Sequence, residues 1–174
     1  MEMVAIITPA RLMSDDAVSI KPATEADIPH ILRFIRGLAE YEKLSHRCVA
    51  TEELLRRTLF GERPYAEVLI ARLGGVPVGF ALFFHSYSTF LAQPGIYLED
   101  IFVVPEHRGV GAGKALLRRV AQIARERGCG RLEWSVLDWN QPAIEFYERV
   151  GATVMPDWRI CRMGSDQIAR FVEG

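Results

Sequence analysis

The clearest pattern along the chain is helical. Ile28, Ile31, Leu32, Ile35, Leu38 and Ala39 recur at the spacing of one helix face. Thr24, followed three residues later by Asp27, resembles a capping box with the shorter acid in place of glutamate. The pattern predicts a helix running to about Tyr41-Glu42. Upstream, Val18-Ser19-Ile20 is a candidate strand closed by Pro22, which has no N–H to donate. A second helix is expected from Thr51, with Leu54, Leu55 and Leu59 on its apolar face and Gly61 and Pro64 beyond its end. Strand patterns follow at Glu67–Leu73 and Val78–Ser86, joined by a Gly74-Gly75 hairpin turn. Pro94-Gly95 marks Tyr87–Gly95 as a loop before a strand at Ile96–Val104. Leu116, Leu117, Val120, Ile123 and Ala124 line one face of a further helix that Gly128 stops. Leu132–Leu137 reads as a strand and Asp138-Trp139-Asn140 as a turn. Pro142 suits the first turn of a short helix bearing Ile144, Phe146, Tyr147 and Val150, ended by Gly151. Short strands are expected around Thr153–Met155 and Trp158–Met163, with Ser165 capping a last helical turn or two.

This order of elements describes an α/β protein with a mixed sheet flanked by helices. The strand at Ile96–Val104 and the one at Leu132 are joined through a helix, so they should be parallel. The chain has 174 residues, which suits one domain, expected over residues 18–174 after a possibly flexible extension at 1–17. Hydrophobic residues make up 49% and charged residues 25%, and the formal net charge is −1. That balance gives no bulk attraction to nucleic acid or to an anionic membrane. No apolar run approaches the roughly 18 residues of a membrane span. The short run Met3–Ile7 lacks a preceding basic residue, which argues against a signal peptide. Cys48, Cys129 and Cys161 form no CxxC pair, and His30, His46, His85 and His107 have no metal spacing. The expectation is a cytoplasmic protein with reduced thiols and no metal.

Candidate chemistry gathers between Tyr97 and Lys114, YLEDIFVVPEHRGVGAGK. An apolar strand carries two adjacent carboxylates, Glu99 and Asp100, and a loop with Gly109, Gly111 and Gly113 leads into a helix. Glycines leave backbone N–H groups open, and a helix N-terminus adds positive potential, so the loop reads as a phosphate cradle. The Walker pattern fails because Arg108 stands where it needs glycine and Ala115 where it needs Ser or Thr. The dinucleotide fingerprint fails because Lys114 and Leu116 stand where it needs its last glycine. The pattern that fits is R-x-x-G-x-G, spelled by Arg108, Gly111 and Gly113. Adjacent strand residues point to opposite faces, so Glu99 and Asp100 can act together only if a bulge re-aims one of them.

R-x-x-G-x-G resembles the pyrophosphate loop of the GNAT superfamily of N-acetyltransferases. From about Ile20 to Phe171 the chain is similar to its spermidine/spermine (diamine) and thialysine acetyltransferase branch, on the segments KPATEADIPHILRFIRGLAEYE, YLEDIFVVPEHRGVGAGK and LDWNQPAIEFYERVGA. The resemblance implies the acyl-CoA N-acyltransferase fold, a single domain whose mostly antiparallel sheet has a splayed central strand pair. It implies acetyl-CoA as acyl donor, coenzyme A as product, and a homodimer. The acceptor would be a small cationic amine (a polyamine, diamine or lysine-like amino acid), with a protein amine as the alternative and a non-catalytic coenzyme A sensor as the opposing class.

The site residues follow by the same resemblance. Ile101, Phe102 and Val103 would line the cofactor's pantetheine arm. Arg108, Gly109, Val110, Gly111, Ala112, Gly113 and Lys114 would hold the pyrophosphate, with Asn140, Gln141, Pro142 and Ala143 beside the cofactor. Tyr41, Glu42, Asp100, Glu133, Trp134, Ser135, Asp157 and Trp158 would contact the acceptor. The strand pattern puts Glu133 and Ser135 on one face and Trp134 on the other, and the Asp157-Trp158 loop is shorter than the family's. Chemistry assigns two roles. An alkylammonium must lose a proton before it attacks a thioester, at a cost of about 4–5 kcal/mol at neutral pH, and Glu99 is the candidate base. The departing thiolate needs a proton, for which the family's motif tyrosine is Tyr147.

Overall fold

The computed structural model describes residues 17–174. The expected extension at 1–17 lies, but for Ala17, outside them. The chain divides into two compact units, the first ending at Trp134 and the second running from Ser135 to Gly174.

The first unit is a mixed five-stranded sheet in the order β1-β2-β3-β4-β5, with β1 at Ser19–Pro22, β2 at Glu67–Leu73, β3 at Val76–Ser88, β4 at Gln93–Val103 and β5 at Arg131–Glu133. Every pairing is antiparallel except β4 with β5, which is parallel as the crossover requires. Helices α1 (Ile28–Tyr41) and α2 (Glu52–Leu59) precede β2, and α3 (Ala112–Glu126) joins β4 to β5. One core cluster gathers Ile31, Phe34, Leu55, Ile70, Phe80 and Phe102 between α1, α2 and the sheet. Leu116 and Val120 of α3 are fully buried, and α3 packs against β3 and β4.

Local chemistry accounts for most element ends. Asp27 Oδ2 accepts from the Thr24 N–H at 2.9 Å, so the box closes, although the first turn is a 3-10 one. Asp27 is buried and ion-paired to Arg72 of β2. Thr51 Oγ1 accepts from the Leu54 N–H at 3.2 Å and caps α2. Leu54 itself is exposed, because Leu55 and Leu59, four apart, form the buried stripe.

Several expectations are corrected. The first strand runs Ser19–Pro22 rather than Val18–Ile20; Pro22 is its last residue and closes it as expected, paired on an edge strand with one side free of the ladder. The expected loop at Tyr87–Gly95 is mostly strand: β3 and β4 pair as far as Ser88 with Gln93, leaving residues 89–92 as the turn. Gly95 serves close approach there, since a Cβ would lie 2.7 Å from Ser86 Oγ. The strand expected at Leu132–Leu137 stops at Glu133, because its parallel pairing ends at Tyr97 with Glu133. A strand-face argument therefore does not extend to Trp134 and Ser135.

In the second unit α4 spans Gln141–Arg149 with Pro142 in its first turn, and Gly151 follows it with φ +94°. Helix α5 spans Ser165–Glu173. Its cap position is Gly164, whose N–H donates to Gln167 Oε1 at 3.0 Å, so Ser165 is the first helical residue rather than the cap. The strands expected around Thr153–Met155 and Trp158–Met163 do not form. A strand needs a neighbour for its backbone groups, and the unit contains no sheet.

Candidate active site

The site is built on an irregularity in β4. Leu98 pairs with Phe83 and Asp100 with Leu82, so Glu99 is the extra residue of a β-bulge. In a regular strand Asp100 would share the face of Leu98. The bulge instead places Asp100 on the face of Tyr97 and Phe102, the side covered by α1. Two adjacent acids are thereby allowed to serve one site. Glu99 is exposed and Asp100 half-buried. Burial, then the neighbouring charges of Glu99 and Glu42, push the Asp100 carboxyl up to about 6.

The end of α1 supplies the opposite wall. Tyr41 is its last residue and Glu42 follows, with the Glu42 carboxyl held above the usual range by burial. Lys43 then turns the chain away with φ +60°. Arg108 meets this wall: its guanidinium carbon stands 4.9 Å from the Tyr41 ring centroid and 5.8 Å from that of Phe102. Its Nε donates to the Val103 carbonyl at 3.1 Å.

Beyond Tyr97 the parallel ladder is over while β4 runs on to Val103, so the two strands part. Val104 N–H donates to Val78 O at 2.9 Å, and the Phe102 carbonyl lies against Gly79, where a Cβ would stand 2.5 Å from its oxygen. Phe102 and Val104 thus turn their backbone groups toward β3. By alternation, Ile101 and Val103 turn theirs to the edge that β5 leaves.

The glycine loop follows. Gly109 and Gly111 take φ +82° and +87°, conformations open to glycine at no steric cost, and nothing lies within 4 Å of where their Cβ atoms would be. The first intrahelical bond of α3 runs from Ala115 N–H to Gly111 O at 2.9 Å. The N–H groups of Ala112, Gly113 and Lys114 are therefore the unpaired donors of a helix start. A cluster of donors with the positive end of a 15-residue helix behind it suits a pyrophosphate.

The first unit thus brings together Tyr41, Glu42, Glu99, Asp100 and Arg108 beside the Gly109–Lys114 loop. Glu133 pairs in register with Tyr97 and shares its face, but its carboxylate is ion-paired to Arg131 at 2.7 Å. The second unit carries Ser135, Asn140, Gln141, Pro142, Ala143, Tyr147, Asp157 and Trp158. Asn140 stands at the start of α4, yet its side chain does not cap the helix. Tyr147 is buried on α4 with Phe146 at a ring distance of 5.3 Å, whereas Asp157 and Trp158 are exposed. Sequence reasoning missed the stacking of Arg108 on Tyr41, for which spacing gives no signal. It also did not single out Asp100 as the acid with the raised pKa.

Comparison with known proteins follows the same lines. Residues 35–152 match the family model described as the acetyltransferase (GNAT) family. A thialysine N-epsilon-acetyltransferase from Bos taurus is 45% identical over 78% of this chain and 84% of its own length. An L-ornithine N5-acetyltransferase from Arabidopsis thaliana is 36% identical over 86% and 85%. Among solved structures, an integron cassette protein from the mobile metagenome of V. cholerae superposes with a TM-score of 0.76 at 24% identity, over 90% of this chain and 98% of that one.

Proposed function

Because the chain belongs to the GNAT family of acetyltransferases, we propose that it transfers an acetyl group from acetyl-CoA to the side-chain amine of a small lysine-like amino acid. That it is an N-acetyltransferase follows from its relatives. The donor, the acceptor and the division of labour are our reading. The observation that carries it is the bulge at Glu99, which sets two carboxylates beside Glu42 with one of them titrating at about 6. Three converging acids favour a cationic acceptor over a neutral one.

The residues present fit coenzyme A. The loop offers three helix-start N–H groups above an open surface, and the Ile101 and Val103 edge suits an amide-bearing arm. When bound, the donor supplies the acetyl thioester. Asp100 seats the ammonium, and Glu99, on the solvent side, accepts its proton through water. Tyr147 would be the phenol that supplies a proton to the departing sulfur. Transfer is direct, within a ternary complex.

A thiol-release assay with acetyl-CoA tests this, using thialysine, L-lysine, L-ornithine, spermidine and a lysine-containing peptide as acceptors. Thialysine, lysine or ornithine should be used best. Preference for the peptide would move the acceptor to protein, and coenzyme A binding without release from any amine would point to a sensor. Glu99→Gln should lower turnover about tenfold or more and alter the pH profile, with coenzyme A affinity little changed. An unaltered profile would remove Glu99 from the mechanism.

We also propose a homodimer. Every side chain from Thr153 to Gly174 is exposed, and Trp158, Ile160, Phe171 and Val172 are each 66–79% accessible. Large apolar side chains exposed along one segment suit an interface, and a second copy of the chain, meeting it about a two-fold axis, is the occupant that needs no other component. Light scattering should give twice the 19.6 kDa chain mass. A monomer with full activity would overturn the dimer.

A further inference from the structure

We propose that the cleft between α1, the start of β3 and the Pro105–His107 turn is a binding site for a free α-amino acid with an aliphatic side chain, separate from the acceptor pocket. The inference does not depend on the functional reading above.

The cleft has a volume of about 350 Å³ and is lined by Arg33, Val76, Pro77, Val104, Glu106 and His107. Three separate segments build it, all within the first unit. Helix α1 brings Arg33, eight residues before Tyr41, which is about 12 Å back along the helix axis. Glu99, Asp100 and the Gly109–Lys114 loop take no part in its walls. One guanidinium N–H of Arg33 donates to the Pro77 carbonyl at 2.9 Å, and the guanidinium carbon stands 5.0 Å from the Phe34 ring centroid. A guanidinium carries five N–H donors, so this anchored one keeps donors for a ligand. Among the described residues, neither Arg33 nor Glu106 forms an ion pair. The Nδ1 of His107 is buried with no hydrogen-bond partner, which is costly unless a bound group meets it.

The lining sets the class of ligand. A cation, an anion and an imidazole stand beside an apolar wall of Val76, Pro77 and Val104. A simple anion would meet the charge of Glu106, and a simple amine would meet that of Arg33. A zwitterion answers both, its carboxylate on Arg33 and its ammonium on Glu106. One of its polar atoms serves His107 Nδ1, and an aliphatic side chain covers the apolar wall. Once filled, the cleft ties α1 to the turn from which the glycine loop starts.

L-Leucine is the probe, since it has no side-chain amine to be acetylated. Titrated into the isotope-labelled full chain and followed by NMR, it should bind saturably, with a Kd in the low millimolar range or tighter. The amides that shift should be those of Arg33, Val76, Val104, Glu106 and His107. Isocaproate and isoamylamine, which each lack one of leucine's two charges, should bind at least about tenfold more weakly. Glu106→Gln and Arg33→Gln should each weaken leucine about ten- to hundredfold, the loss of a hydrogen bond between charged groups. Glu106 is exposed, so its variant keeps the test sound whatever Arg33→Gln does to the Pro77 contact. Asp100→Asn, in the acceptor pocket, should leave the leucine Kd within about twofold of the wild type. Shifts centred on Tyr41, Glu42 and Asp100 would overturn the proposal, as would equal binding of the two analogues. So would a Glu106→Gln variant that binds leucine as the wild type does, or no saturation by about 20 mM.

Discussion

Asp100→Asn should make the protein more stable and nearly inactive at the same time. The folded state pays for an ionised Asp100 because the group is buried and faces Glu99 and Glu42. Its pKa rises from 3.8 to about 6, and roughly two units correspond to about 3 kcal/mol. The sign follows from where the proton goes. With the folded pKa above the unfolded one, the folded state takes up the proton first as pH falls. The favourable contribution of the protonated group is complete below about pH 4 and is lost as pH rises through about 6. Asparagine mimics the protonated acid at every pH. The variant should therefore match the wild type near pH 4, gain on it up to pH 6, and stay ahead above, with a melting temperature raised by about 5–10 °C at pH 7.5. Activity should fall by about 100-fold or more in kcat/KM, since the ammonium loses its seat. In the wild type, kcat/KM for thialysine should decline below about pH 6 as Asp100 protonates. A variant no more stable at pH 7.5 than at pH 4, relative to wild type, would show that Asp100 is not strained in its ionised form.

Tyr147→Phe should lower kcat by about 100-fold with little change in coenzyme A affinity. On the proposed reading the thioester sulfur would depart as a thiolate, with a conjugate acid pKa near ~8.5, and the Tyr147 phenol, pKa near ~10, would be the group that supplies its proton. The acceptor nitrogen would give up two protons on becoming an amide: one leaves to solvent by way of Glu99, and the second offsets the one that Tyr147 supplies to the sulfur, so one proton is released per turnover. Phenylalanine fills the same volume at the buried α4 position, and stability should stay within about 1–2 kcal/mol. Full turnover in this variant would assign Tyr147 to packing on Phe146.

The sheet was legible in the sequence wherever one face is apolar and the other is not. The face of α3 and the course of β2 follow directly from their apolar spacing. The bulge was legible as a need, because two adjacent acids cannot otherwise share a face. It is also written in β4 as a slip of phase, from Ile96 and Leu98 to Ile101 and Val103. The β3–β4 hairpin was misread because Pro94 and Gly95 are turn residues by propensity, while here glycine answers a close approach to Ser86. Trp158–Met163 has the composition of a strand but no partner in its own unit, and pairing is a property that a single segment cannot carry. The Arg108–Tyr41 contact joins residues far apart in sequence, and only the folded chain brings them face to face.

The bulge has one more consequence, which concerns insertions and deletions rather than substitutions. Leu98 and Asp100 already occupy consecutive rungs opposite Phe83 and Leu82. Removing residue 99 altogether would leave a continuous ladder, with Asp100 and Phe102 still turned toward α1. Glu99 is thus an insertion that the strand accommodates without needing it for its pairing with β3. A deletion at that single codon would yield a more regular scaffold without its proposed base, and a one-residue insertion is a short route from such a scaffold to a catalyst.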